Sequence, residues 1–302
     1  MTRVALLAAA SLLLTAQAPA PTPATTITDP GSVLANAPAD DWRPVDIENI
    51  VVFETTRGRM VLELAPAFAP MHIKAIRQFV AEGRFDGGAI TRVQDNYVVQ
   101  WAARPRPADA PALPIPLPPL PAEYEMPAQG FVFTRLEFAD PYAEAGFIDG
   151  WPAGRDPRTK TVWLAHCYGM VGVGREAPPD VGDGTELYAV IGHAPRHLDR
   201  NLAVVGRIIE GLDAHASLPR GTAALGVYAK EAERTPITRA TLGTNLADPP
   251  RFEVMDTASA SFARYKAARA NRSGFFVRPA GGLDLCNVQV PVRRATAAQQ
   301  PR

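Results

Sequence analysis

Residues 51–100, VVFETTRGRMVLELAPAFAPMHIKAIRQFVAEGRFDGGAITRVQDNYVVQ, decide the fold. The runs 51–55 and 60–64 are rich in Val, Leu, Phe and Thr, and Gly58 lies in the link between them, so they read as a hairpin. Pro66 and Pro70 then punctuate the chain. Over 70–82 the period lengthens. Ile73, Ile76 and Val80 share one helical face, Pro70 suits a first helical position, and Gly83 suits the end. After the turn Phe85-Asp86-Gly87-Gly88, two more short strands follow at 89–93 and 97–101.

Toward the C-terminus, residues 104–127 are dense in proline. The 111–121 run favours polyproline II and is excluded from a central strand. One strand is expected at 130–138, within Gly, Pro and Asp loops that reach residue 160. β character returns at 163–173, 187–192 and 202–209. A short helix is expected at 211–217, loop at 219–255, a helix at 257–270, and late strands at 275–277 and 285–292. No fixed-period repeat is present. Many short strands with two or three helices favour an antiparallel barrel or sandwich over an alternating parallel fold.

Toward the N-terminus, residues 1–24 read as a signal peptide. Met1-Thr2-Arg3 is a short positive start, 4–14 is an apolar run, and small residues follow. Cleavage boxes end at Ala18 and Ala20, each with Pro next, and a cut after Ala24 is the alternative. The apolar run is too short to span a bilayer easily. Residues 25–46, rich in Pro, Ala, Thr and Asp, are expected to be a flexible linker. A single domain is expected over 47–293, with long irregular insertions at 104–160 and 219–282, and a polar tail over 294–302.

The whole chain fits this reading. Its 302 residues are 47% hydrophobic, enough for a buried core, and its 30 prolines are about twice the usual share. Lys+Arg and Asp+Glu number 31 each, so the net charge is zero and nothing draws the chain to nucleic acid or an anionic membrane. The two cysteines, Cys167 and Cys286, suggest a disulfide in an oxidising compartment; two buried free thiols are the alternative.

Common catalytic signatures are absent: there is no Walker loop, CxxC, HExxH or GxSxG. Gly172-Val173-Gly174-Arg175-Glu176-Ala177 mimics a dinucleotide fingerprint, yet Pro178 and Pro179 stand where a helix must open. His193 and His197 are four apart, but Pro195 lies between them and no third ligand is near. His166 adjoins Cys167, though neighbours in a strand point to opposite faces.

The hairpin 53–64, Ala69-Pro70 opening the helix, Phe85-Asp86-Gly87 and the strand Arg92 resemble the N-terminal half of cyclophilins. The block 184–211, with Leu198-Asp199 before Val204-Val205-Gly206-Arg207, resembles their C-terminal half. Together these blocks cover about a third of the chain. The resemblance implies a mainly β fold, a closed eight-stranded antiparallel β-barrel capped by two helices. It also implies cis/trans isomerisation of X-Pro bonds without cofactor or metal. Arg92 matches the family's catalytic Arg, and Gln100 the Gln that holds the substrate backbone. Tyr97 and Tyr188 stand at its two pocket Phe positions, Val98 at a Met, and Leu198 at a Leu. Gly174 matches a small backbone-contact residue. At the rim, Glu186 replaces a Gln, His197 a Trp and Leu202 a His, while Trp101-Ala102-Ala103 replaces Gly-Gly-Asp.

Three function classes follow. The first is an isomerase acting on proline-containing peptides or unfolded exported proteins. The second is a non-catalytic proline-peptide binder or chaperone, and the third a scaffold whose insertions make the contacts. The expected protein is exported, periplasmic and monomeric, with no nucleic-acid partner and no membrane insertion once the signal is removed.

Overall fold

The hairpin at residue 51 forms as read: strand β1 (Ile50–Thr55) pairs with β2 (Gly58–Leu64). Gly58, at φ +117°, takes the left-handed backbone that closes their turn. The computed structural model describes residues 29–105 and 119–295. The expected signal segment 1–24, most of the 111–121 proline run and most of the expected polar tail lie outside the described residues.

Six further strands complete a closed barrel. They are β3 (Ala89–Val93), β4 (Val98–Ala102), β5 (Met170–Val173), β6 (Glu186–Val190), β7 (Val204–Glu210) and β8 (Thr235–Leu242). The strand order is β5-β6-β4-β3-β8-β1-β2-β7, closed on itself, and every pair is antiparallel. Alternation sends Phe53, Leu62, Val99, Trp101 and Leu187 inward. Phe53 meets Phe85 and Trp101 edge-on, with centroids 5.4 and 5.7 Å away. Helix α2 (Pro70–Ala81) closes one end with Ile73, Ile76, Phe79 and Val80, and the short helix α3 (Leu212–Ala216) adds Leu212.

Strand β8 corrects the expected loop over 219–255. Pro236 argues against a paired strand, yet it sits where β8 has only two residues paired with β3, and the main β8 ladder runs with β1. The inward positions Ile237 and Ala240 complete the barrel core.

The regions outside the barrel are more regular than their composition suggests. Residues 126–164 form a five-stranded sheet, in the order Met126–Pro127, Thr161–Leu164, Trp151–Asp156, Glu144–Ile148 and Thr134–Arg135. The linker expected over 25–46 is structured from residue 30. Asp29 caps helix α1 (Pro30–Ala35), and Trp42–Pro44 joins a three-stranded sheet with Phe252–Met255 and Val292–Arg294. A six-residue helix is unstable alone; α1 holds because it packs on α4 (Ala260–Ala270). Residues 275–277 are not a strand but an exposed loop, and the last strand starts only at Val292, after a 3-10 turn at Leu285–Asn287.

These outer pieces share a second core. Val33, Trp42, Phe147, Trp151, Leu164, Phe262, Tyr265 and Leu285 pack together against Met170 and Val204 on the barrel wall. Cys167 and Cys286 form a disulfide across this seam. Arg207 of β7 also crosses it, pairing with Glu63 at 2.7 Å and donating to the Gly150 carbonyl at 2.7 Å. Among the described residues, no helix is long and apolar enough to cross a membrane.

Candidate functional site

Four neighbouring barrel strands carry one row of residues. Arg92 on β3 pairs with Gln100 on β4, Gln100 with Tyr188 on β6, and Tyr188 with Gly172 on β5. Partners across antiparallel strands project to the same face, so the row lies together on the outer wall. Arg92 reaches that face through a bulge. The register slips between Ile90 and Arg92, so Ile90 faces Trp101 in the core while Arg92 faces Gln100 outside.

Arg92 is half-buried and held on three sides. Its Nε donates to the Leu225 carbonyl at 2.6 Å, Nη1 to Gln100 Oε1 at 3.1 Å, and Nη2 to Gln94 Oε1. Its guanidinium also lies over the Tyr97 ring, 5.7 Å from the centroid. Partial burial pushes the guanidinium down from its ordinary value, against the pull of Tyr97 and Glu186; it remains a cation. Gln94 and Leu225 escaped the sequence reading. Gln94 belongs to the turn after β3, and Leu225 acts only through its backbone carbonyl, which no side-chain pattern signals.

Gln100 uses its other end to donate to Glu186 Oε2 at 3.1 Å. Desolvation, with Glu176 and Asp183 nearby, pushes the Glu186 carboxyl up against the pull of Gln100 and Arg92. Gly174 lies beside both: a Cβ there would stand 3.1 Å from Glu186 and 3.4 Å from Gln100. Tyr97 stacks parallel on His197, centroids 6.3 Å apart. Val98 is buried below them. Leu198 belongs to the same 3-10 turn as His197, Arg196–Leu198. Leu202, half-buried, stands further along, just before β7.

Tyr188 is the buried floor of the row. Its hydroxyl meets His166 Nε2 at 2.9 Å, and burial pushes its phenol well up, so it stays protonated. Trp101 corrects the expected rim: it is fully buried inside the barrel against Phe53. Strand alternation requires this, because Gln100 beside it points out. His193 and His197 are exposed. Cys167 is bridged and therefore has no thiol to pair with His166.

The family model for cyclophilin type peptidyl-prolyl cis-trans isomerase/CLD matches residues 50–241. The chain belongs to the cyclophilin family. Among solved structures, a cyclophilin from Hirschia baltica superposes with a TM-score of 0.66 at 26% identity, over 87% of this chain and 96% of that one. A probable peptidyl-prolyl cis-trans isomerase of Brucella suis is 38% identical over 55 residues, and one of Brucella abortus 36%. Those matches span 18% of this chain and only 28% of each curated relative. The cyclophilin match ends at residue 241, within β8, so it contains the barrel and the inserted sheet but not α1 or α4.

Proposed function

We propose that this chain is a peptidyl-prolyl cis-trans isomerase acting on X-Pro bonds of exported proteins in the periplasm. The observation that carries the reading is the single outward row of Arg92, Gln100 and Tyr188, with Tyr97 over the guanidinium. Rotation about an X-Pro amide is opposed by C–N resonance, with a barrier of about 18–20 kcal/mol. A fixed N–H donor aimed at the prolyl nitrogen favours the pyramidal state in which that resonance is lost. An arginine has five N–H donors. Three hydrogen bonds hold the Arg92 plane, leaving N–H groups for the substrate. The apolar faces of Tyr97, Val98, Tyr188 and Leu198 receive the proline ring, and Gln100 orients the peptide backbone. The disulfide between Cys167 and Cys286 supports an oxidising compartment.

A non-catalytic proline-peptide binder is the second reading. It is favoured by the three acceptors already engaged by Arg92 and by the changed residues Glu186 and His197 beside the row. Catalysed isomerisation of a short X-Pro peptide separates the two. Arg92→Ala should lower kcat/KM by about 10²–10³-fold, with the barrel unchanged by circular dichroism. A wild-type protein that binds the peptide without accelerating its isomerisation would select the binder.

A further inference from the structure

A buried polar chain runs from Tyr188, the floor of the proposed proline groove, into the inserted sheet region. Tyr188 Oη meets His166 Nε2 at 2.9 Å, and His166 Nδ1 meets Asp199 Oδ1 at 2.9 Å. Asp199 Oδ2 accepts from Arg196 Nε at 2.6 Å, and Arg196 grips Asp140 with Nη1 and Nη2 at 2.9 and 3.3 Å. The side chains of His166, Asp199, Arg196 and Asp140 are 1%, 7%, 3% and 0% exposed, so the chain is shielded from water along its length.

Asp199 only accepts, so His166 Nδ1 carries a hydrogen and, in the neutral ring, Nε2 accepts the Tyr188 hydroxyl proton. Burial raises the Asp199 carboxyl, but His166 and Arg196 outweigh it and hold the group below its ordinary range, ionised. Asp140 is itself pinned, accepting from the backbone N–H groups of Tyr142 and Ala143. Gly172 leaves room for the arrangement, since a Cβ there would strike the Tyr188 hydroxyl.

We propose that His166, Asp199, Arg196 and Asp140 are positioning residues that fix the floor and one wall of the proline groove at once. One end holds the Tyr188 ring. Arg196 anchors the turn that presents His197 and Leu198. Asp140 belongs to the inserted sheet region, between Thr134–Arg135 and Glu144–Ile148. The insertion therefore sets the shape of the groove without touching the substrate. A phenylalanine at residue 188 would fill the floor with no partner, whereas a buried tyrosine hydroxyl requires one. The chain meets that need with residues that also anchor the turn bearing His197 and Leu198.

The inference rests on the proline-groove reading and is tested by two readouts. Tyr188→Phe, Asp140→Asn and the double variant are compared for KM and kcat on an X-Pro peptide. The dissociation constant of an uncleaved, non-isomerising proline peptide is measured beside them. Each single variant should raise KM and Kd about threefold to tenfold while kcat changes less than about twofold, and the double should be no worse than the poorer single. His166→Gln, which keeps one donor and one acceptor, should retain more affinity than His166→Ala. Unchanged KM and Kd alongside a lowered Tm would overturn the proposal, leaving the chain a purely structural network. So would effects that add in the double variant. If the wild type binds but does not isomerise, the enzyme reading fails and the Kd comparison alone still decides the positioning role.

Discussion

A Cβ placed on Gly172 would stand 2.2 Å from the Tyr188 hydroxyl and 2.4 Å from the carbon that bears it. The phenol is held by His166 and cannot easily give way. Gly172→Ala should therefore destabilise the fold by about 1–3 kcal/mol through overpacking and weaken peptide binding. Urea unfolding checks the first and titration with a proline peptide the second; a midpoint unchanged from wild type would show that the ring relaxes. At this scale the resemblance to cyclophilins singled out Arg92 and Gln100 after the matching hairpin and helix, and Tyr188 in the second matching block. It placed Trp101 at the rim, whereas the alternation beside Gln100 turns that ring into the core. The sequence concealed Gln94 and the Leu225 carbonyl, because polar groups in turns carry no periodicity. His166 and Asp140 were hidden for another reason: His166 stands 22 residues from Tyr188 and Asp140 stands 56 from Arg196, so no local spacing links either to the row.

Helix α2 has no side-chain cap of its own, since its N-cap residue is Ala69. The cap comes from Glu123 of the insertion, which accepts from the N–H groups of Met71 and His72 at 2.9 Å each and from His72 Nδ1 at 2.7 Å. Burial alone would raise this carboxyl, but the hydrogen bonds from His72 and Met71 leave it below its ordinary value. A depressed carboxylate stabilises the fold above its unfolded pKa and loses that contribution as pH falls through the folded one. Glu123→Gln should cost about 1–3 kcal/mol at pH 7, and the gap from wild type should narrow as the pH drops below about 4. Urea unfolding at both pH values measures it; a pH-independent gap would mean that the charge contributes nothing. The helix itself was legible from Pro70 and its apolar period. Strand β8 was not, because Pro236, Thr238 and Arg239 mask its inward positions, and only the gap between β1 and β3 makes a strand of it.

Across the whole molecule, the barrel and the outer layer are joined by packing, by Arg207 and by one disulfide. Cys167 and Cys286 are 119 residues apart, with Cα atoms 4.8 Å from each other. Closing so long a loop in the unfolded chain gives a stabilisation of about 4–5 kcal/mol in the chain-entropy view. Replacing both cysteines with serine should lower the unfolding free energy by up to that amount, read by urea denaturation, with the wild type under reductant moving the same way. Equal midpoints for oxidised and reduced protein would show that the seam is held by packing alone. The amino-acid order by itself determined the hairpin, helix α2 and seven of the eight barrel strands in outline, because local periodicity and turn residues encode them, while Arg92 and Gln100 were singled out by the resemblance to cyclophilins. Only the tertiary structure decided that parts of residues 33–42, 126–165 and 255–290 gather into one second core. It also decided that the cysteines meet, that Glu123 caps α2, and that a buried chain from Asp140 reaches Tyr188. Short, proline-rich segments bury too little apolar surface to order themselves, so their structure exists only where distant parts of the chain supply the other half of the contact.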